Sequence, residues 1–422
     1  MPKNTTLLAG AALALGLFAS AAAGAFAQAT PAPSPAAKPA PAASPTATPA
    51  PTPSPTPFKL LGLQGSFDAG YETMGGTSAA RFVNTTPSRV FDGSQGPFFD
   101  ENGGRQVGPA NDYLNKFDLQ NANVALNING SVFSGKIEGS FGTDANVIAS
   151  NGQTRANSNL TQAYFQAIEG PATFQAGKIE TIAGAEVIEA PGNSNYSRSY
   201  LFGYAIPFTH TGVRVTYVAT PKVTVIVGAN NGWDDWKFAG KKKTLEGALE
   251  LAPSPAIAWT IDTYNGNDFA VSGNSAIFMA PVFTNRMLYD TVLTVHATSA
   301  LTLIANYDNG TQLADSGAFF PTTAHWNGVA GYANYAFTPV YGISLRKEYF
   351  DDINGFRTGL PGGVLLQSNT ATFNYTPGTN YIIRLEYRLD AADKNAFTYT
   401  GAGPNGRAHQ SSLGVEAIVK FP

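Results

Sequence analysis

Charged side chains in this chain recur at every second residue, opposite apolar ones, over many short segments. Residues 380–391 show this clearly, because Arg384, Glu386 and Arg388 alternate with Ile383, Leu385 and Tyr387. Successive side chains of an extended strand point to opposite faces, so the charges share one face and the apolar groups the other. A face that carries both guanidinium and carboxylate groups can attract and orient ions and small polar solutes. The pattern therefore points to electrostatic selection rather than to bond-making chemistry.

Residue sets that would support catalysis or metal binding are not evident in the sequence. There are no cysteines, and the four histidines are far apart with no metal-ligand spacing (His210, His296, His325, His409). Residues 401–406 match the dinucleotide-binding spacing G-x-G-x-x-G, but Pro404 lies inside the motif and a strand pattern follows instead of a helix. We expect no enzyme activity, no cofactor and no metal.

The polar faces assigned by alternation carry more acid than base. The basic residues are Lys136, Arg214, Arg286, Arg346, Arg384 and Arg388. The acidic residues are Asp68, Glu72, Glu138, Asp144, Glu246, Glu250, Asp262, Asp290, Asp308, Glu348, Glu386 and Asp390. If these faces enclose a lumen, the acidic excess predicts a mild preference for cations. The alternative is that most of these charges only solvate a wide hole.

One long polar segment, 185–210, differs from the others because it also contains several aromatic residues. We predict that it packs inside the structure and narrows the lumen, with Glu186, Glu189, Arg198 and His210 as the constriction residues.

Sixteen short segments show the strand pattern. They comprise a first strand from about residue 61 to 72, then 116–128, 131–145, 160–168, 172–184, 211–219, 222–230, 243–252, 255–264, 286–297, 300–309, 327–337, 341–352, 368–376, 380–391 and 409–421. Seven tight turns alternate with eight long segments: 74–115, 146–159, 185–210, 231–242, 265–285, 310–326, 353–367 and 392–408. Short turns on one side and long loops on the other are typical of outer-membrane barrels. An even number of strands places both chain ends on the short-turn side.

We therefore predict an all-β fold, a transmembrane antiparallel barrel of about sixteen strands. Aromatic residues occur at two levels, near the short turns (Phe337, Tyr341, Tyr375, Tyr381) and near the long loops (Tyr71, Tyr289, Tyr349, Tyr387), as in the girdles at the two membrane surfaces. About 16 strands enclose an aqueous channel, whereas about eight enclose only side chains. A soluble β-sandwich that binds carbohydrate is the alternative fold. Lys178 and Lys347 fall on the predicted lipid side, either because of a bulge or because they reach up to headgroups.

The N-terminal residues read as two further segments. Residues 1–29 resemble a signal peptide, with Lys3, an apolar stretch and a small-x-small cleavage site at 27–29. Residues 30–57 are rich in Pro and Ala and predict an extended periplasmic linker, which leaves 58–422 as the barrel. Without Lys3 the chain has 25 basic and 29 acidic residues, a net charge of −4, which argues against nucleic acid as a partner.

Three central segments resemble the OmpL-like β-barrel porin family (porin-2): GKIETIAGAE at 177–186, NYSRS at 195–199 and PFTHTGV at 207–213. The resemblance implies a bacterial outer-membrane porin for passive diffusion of small hydrophilic solutes, and a homotrimer by analogy with general porins. Its surroundings would be outer-membrane lipid and lipopolysaccharide. The last strand alternates up to Phe421, which resembles the signal read by the barrel assembly machinery. The alternative function is a structural or adhesive barrel with a plugged lumen.

Overall fold

The computed structural model describes residues 59–75, 80–82, 117–130, 132–150, 158–236, 242–270, 282–313, 323–358, 360, 362–399 and 408–421. Apart from Lys59, these residues belong to one compact unit, 60–422. The predicted signal peptide (1–29) and linker (30–57) lie outside the described residues and stay predictions.

Sixteen strands form a closed antiparallel barrel. In chain order these are β1 (Lys59–Gly75), β3 (Phe117–Asn129), β4 (Phe133–Phe141), β5 (Ser158–Glu169), β6 (Ala172–Glu180), β7 (Thr209–Thr220), β8 (Val223–Asn230), β9 (Thr244–Ser254), β10 (Ile257–Ala270), β11 (Val282–His296), β12 (Leu301–Gln312), β13 (Ala324–Ala336), β14 (Tyr341–Asp352), β15 (Val364–Tyr375), β16 (Tyr381–Ala392) and β18 (His409–Phe421). Two further strands, β2 (Ala80–Phe82) and β17 (Phe397–Tyr399), pair with each other as a separate sheet. The barrel closes between β1 and β18, where Gly65 pairs with Phe421. Among the described residues, no helix is both long and apolar enough to cross a bilayer.

The predicted fold class is confirmed, with each of the sixteen predicted strands overlapping one barrel strand. Strand 131–145 was predicted too long, because β4 ends at Phe141 and Gly142 takes a φ of 118°, a conformation that favours glycine. Asp144 therefore lies in a short helix, α1 (Thr143–Val147), and not on a strand face. β6 likewise ends at Glu180, and β10 and β11 extend further into the predicted loop between them.

The barrel exterior is apolar. Along β16, Tyr381, Ile383, Leu385, Tyr387 and Leu389 are exposed while the residues between them are buried. At the short-turn end, aromatic rings pack on the outer surface, with the Tyr341 ring 5.1 Å from that of Tyr375 and Tyr335 5.3 Å from Phe337. This is the arrangement expected of a surface that meets lipid.

The two lysines of the predicted lipid side have different environments. Lys178 is almost fully buried, because its Nζ donates to the carbonyl of Leu160 at 2.6 Å and lies 5.8 Å from the ring of Trp236. Lys347 does lie on the outer face, with an unbroken register on both sides and therefore no bulge. Its Nζ sits 4.7 Å from the centre of the Tyr349 ring, further towards the long-loop end.

Candidate functional site in the barrel lumen

The long segment between β6 and β7, residues 181–208, lies inside the barrel; we call it L3. It contains a 3₁₀ turn at Ala190–Gly192 and a π-helical turn at Leu201–Ala205. Backbone and side-chain groups of L3 form hydrogen bonds with inward side chains of β11, β12, β14, β15 and β16. At its start, the backbone N–H of Gly184 donates to Asp290 and that of Ala185 to Asn306. L3 therefore crosses the lumen from one wall to the other.

Carboxylates on β14 and β16, the wall opposite the start of L3 (the far wall), hold the backbone of L3. Glu386 accepts hydrogen bonds from the N–H groups of Tyr196 (2.8 Å) and Ser197 (3.0 Å). Glu348 accepts one from the N–H of Tyr200 at 2.6 Å. A carboxylate that accepts from two backbone donors fixes the position of a loop, because hydrogen bonds to a charged acceptor are stronger than neutral ones.

Arginines of the same wall bind the carbonyl groups of L3. Arg346 donates from Nη1 to Glu186 (2.7 Å) and to the carbonyl of Ser197 (2.6 Å). Arg388 donates to the carbonyl of Arg198 at 2.7 Å. Arg384 bonds the carbonyls of Ala190 and Asn193 and pairs with Glu416 at 2.7 Å. These side chains, predicted as charges of the lumen, are inward but buried against the loop.

The four predicted constriction residues have different environments. Glu186 is buried, accepts from Arg346 and Ser199, and so ties the loop to the wall. Arg198 is turned into the loop itself, where it donates to the carbonyls of Val187, Tyr196 and Ile188. Its charge therefore organises L3 and does not project into free lumen.

His210 is not part of L3, because it is the second residue of β7. Its ring stacks on Tyr264, with centroids 4.6 Å apart, and its Nδ1 lies 3.1 Å from the carbonyl of Gly232. The Tyr264 hydroxyl in turn accepts from the N–H of Ile182. His210 thus belongs to the wall behind the start of L3.

Glu189 points to β4 and β6, which we call the near wall, where it meets Glu138 and Glu180. We call these three residues the glutamate cluster. One carboxylate oxygen of each lies within 4.8 Å of the others. Lys136 forms an ion pair with Glu138. Burial, and secondarily the charge of Glu180, raises the pKa of Glu189 to about 7.

A second acidic group lies where L3 begins. Asp262, Asp290 and Asp308 stand directly opposite one another on β10, β11 and β12; we call them the aspartate row. All three are almost fully buried. Asp290 accepts from Gly184 (3.0 Å) and Asn306 (2.6 Å). Beside this row, Arg214 binds Glu246 through Nε at 2.5 Å.

The far end of L3 is capped by Asp234, which follows β8. Its Oδ1 accepts from the N–H groups of Phe208 (3.0 Å) and Thr209 (2.8 Å). Complete burial of its carboxyl raises the pKa of Asp234 to about 7. The protonation state of Asp234 therefore affects how strongly the end of L3 is held in place.

The long-loop side of L3 packs into an apolar cluster inside the barrel. Trp326 is fully buried, donates from Nε1 to the carbonyl of Ala205 (3.1 Å), and packs against Phe356 and Trp233. Arg357 lies over the rings of Trp233 and Trp326, and burial together with the nearby Arg286 lowers the pKa of Arg357 to about 9. This part of the lumen is filled by side chains.

The short-turn side of L3 borders an open recess of about 390 Å³. Its wall includes Asn193 of L3, Asn334 and Ser344 of the barrel and Thr338 of a short turn. Space for solvent thus lies on the short-turn side of L3.

Some functional residues were missed by the sequence analysis. Glu416 alternates with Leu413, Val415 and Ala417 and could have been assigned to the inner face. Glu180 was absorbed into a predicted strand that ran to residue 184. The aromatic cluster around Trp326 has no signal in the alternation, because its members come from five or more separate segments.

Comparison with known proteins gives one family. The family model described as "Putative beta-barrel porin-2, OmpL-like" matches residues 93–421. No curated protein matches the chain significantly.

Three solved structures illustrate the similar fold, each at low sequence identity to this chain. The outer membrane channel DcaP of Acinetobacter baumannii has 13% identity and a TM-score of 0.56, with 86% of this chain and 97% of that chain covered. Salmonella typhi OmpF, in complex with daunomycin, has 10% identity and a TM-score of 0.56, over 86% and 97% of the two chains. An anion-selective porin from Comamonas acidovorans has 10% identity and a TM-score of 0.52, over 86% and 99%.

Proposed function

Because this chain belongs to the OmpL-like β-barrel porin family and is an outer-membrane porin, we propose that it conducts small hydrophilic solutes and ions by passive diffusion. The observation that supports this most is a closed barrel of sixteen strands whose lumen is narrowed by an internal loop. A barrel of this strand number is wide enough for an aqueous channel. L3 then sets the size and charge of the passage that remains.

We propose a mild preference for cations. The wall from β9 to β12 carries Glu246, which pairs with Arg214, and the three acids of the aspartate row. The arginines of β14 and β16 are neutralised by neighbouring carboxylates and bonded to L3, which leaves the aspartate row as the excess charge. The Comamonas porin, described as anion-selective, has a similar barrel, so the fold does not determine selectivity and the side chains must. Asp290→Asn should therefore shift the reversal potential in a salt gradient towards anions.

Planar-bilayer recording of the purified mature protein tests the channel. We expect stepwise conductance that rises with salt concentration, and a reversal potential that indicates cation preference. Glu169→Gln is the matched control for Asp290→Asn, since Glu169 is exposed at the short-turn end of β5. A folded barrel, verified by heat-modifiable gel mobility, that gives no steps would contradict the proposal.

A plugged barrel with a structural or adhesive role is the second candidate. Burial of most described lumen charges and the apolar cluster around Trp326 favour it. Under this alternative, intact protein gives no conductance, whereas deletion of 186–204 opens a wide channel. Under diffusion, both proteins conduct and the deletion only increases the unit conductance.

We further propose a homotrimer in outer-membrane lipid and lipopolysaccharide, with residues 30–57 in the periplasm and insertion by the barrel assembly machinery. A trimer form is described for Vibrio cholerae OmpT, which has a similar barrel. Both ends of the barrel domain lie at the short-turn end, which faces the periplasm in outer-membrane barrels. Chemical cross-linking in membranes, and protection of residues 30–57 from protease added to intact cells, test these two points.

A further inference from the structure

We infer that Glu138, Glu180 and Glu189 form a binding site for a calcium-class divalent cation, which ties L3 to the near wall of the barrel. The three side chains come from β4, from the end of β6 and from L3. The site is therefore complete only when the loop is in place.

The geometry fits one central ion. Calcium is bound by oxygen ligands at about 2.3–2.6 Å, so two ligands of the same ion are separated by at most about 5 Å. One oxygen from each glutamate lies within 4.8 Å of the others. Calcium tolerates irregular ligand arrangements, whereas magnesium requires near-octahedral geometry, and two strands and a loop form an irregular set.

The hydrogen bonding leaves positions open for an ion. Glu138 is satisfied, since it accepts from Asn123 (2.6 Å) and Gln162 (2.8 Å) and pairs with Lys136. By contrast, Oε1 of Glu180 and Oε1 of Glu189 are shielded from solvent and accept no hydrogen bond within the described part of the chain. Buried carboxylate oxygens that face each other need either a shared proton or a cation between them, and at a pH where the protons have left, a cation takes that place.

The charge also matches. When all three carboxylates are ionised, they and the ammonium of Lys136 sum to −2, which a divalent cation neutralises. Glu180 and Glu189 remain partly exposed to the lumen as whole side chains, so an ion can reach them.

The aspartate row is a poorer site for a single ion. Its outer members lie on strands either side of β11, so Asp262 and Asp308 are about 9–10 Å apart at the backbone. Among the described residues, three such ligand oxygens within 4.8 Å of one another are found at the glutamate cluster and not at the aspartate row.

Calorimetric titration of calcium chloride into refolded protein free of lipopolysaccharide tests the site. We expect one saturable site at pH 8, weakened at least tenfold in Glu189→Gln and in Glu180→Gln and unchanged in Glu169→Gln. Heat-modifiable mobility verifies that each variant is folded. Binding should weaken below pH 7, because protons compete for the same oxygens.

Either of two results would overturn the inference: no saturable calcium binding by folded wild-type protein, or equal binding by wild type and both cluster variants. The titration requires no conduction, so its outcome is independent of whether the barrel forms an open channel.

Discussion

Arg346 shows what most of the inward charges do. It donates to Glu186, to the carbonyls of Ser197 and Arg198 and to Thr370, and it is almost fully buried. Removing a buried charge from water is costly unless partners replace the hydration. L3 supplies those partners, so loop and wall stabilise each other and the charges are not free to solvate a wide hole.

The Glu186–Arg346 pair should therefore show strong coupling. Loss of Arg346 leaves Glu186 buried without its cation, so Arg346→Met should lower the free energy of unfolding by about 3–5 kcal/mol. Glu186→Gln should cost less, because Arg346 still pairs with Glu348 at 3.5 Å. The double variant should lose clearly less than the sum, because neither charge is then stranded. Urea unfolding in detergent measures all four proteins; additive losses would mean that the pair does not act as a unit.

At the scale of elements, the docking of L3 should depend on pH. Glu189 and Asp234 both have a pKa of about 7 when the loop is docked, above the ordinary values of 4.5 and 3.8, because burial disfavours their charged forms. The docked state thus binds protons more tightly than the released state. Docking is favoured in acid and weakens as pH rises from about 4 to 7.

We expect channel noise and mean conductance to increase from pH 5 to pH 8, measured in bilayers with a chelator present to remove divalent cations. Asp234→Asn removes one of the two groups and should flatten the dependence, while Glu169→Gln should not change it. Conductance that falls as pH rises would contradict this account of how the loop is held.

The π-helical turn of L3 gives a second prediction at this scale. Trp326→Ala leaves a cavity beneath Ala205 and removes the Nε1 hydrogen bond, so it should lower the free energy of unfolding by about 3–5 kcal/mol. Trp259, about 40% exposed on the outer face, provides the control, and Trp259→Ala should cost less than half as much. Equal losses in urea unfolding would show that Trp326 does not anchor the loop.

The elements themselves were largely predictable, whereas the interior of the barrel was not. Strand 341–352 was predicted with the bounds that the structure shows, because alternation is a local property of sequence. The pairing of Glu186 with Arg346 joins residues 160 positions apart. Such contacts depend on which inward residues share a level of the barrel. Glu186 and Arg346 were both predicted to face the lumen, but their pairing with each other was not predicted.

At the scale of the whole molecule, the barrel separates two solvents. Its outer face contacts lipid with side chains such as Leu385, 48% exposed, while the neighbouring Arg384 and Glu386 are 2% exposed within. Lys347 also lies on this outer face, six residues from Tyr341 at the short-turn end. Its aliphatic stem lies along the apolar surface, and its ammonium contacts the Tyr349 ring, which is nearer the long-loop end of the barrel.

This partition predicts opposite effects for two exchanges on the outer face. Leu385→Lys puts a new charge in the apolar band and should destabilise the barrel by about 2–4 kcal/mol in vesicles. Lys347→Leu should be neutral or stabilising. It removes a charge from the lipid-facing surface, and the ammonium near Tyr349 has little favourable hydration to lose. Reversible unfolding from short-chain phospholipid vesicles measures both changes. If Leu385→Lys had no cost there, the surface assigned to lipid would have to face water instead. If Lys347→Leu were as damaging as Leu385→Lys, Lys347 would have to make a stabilising polar contact on this face.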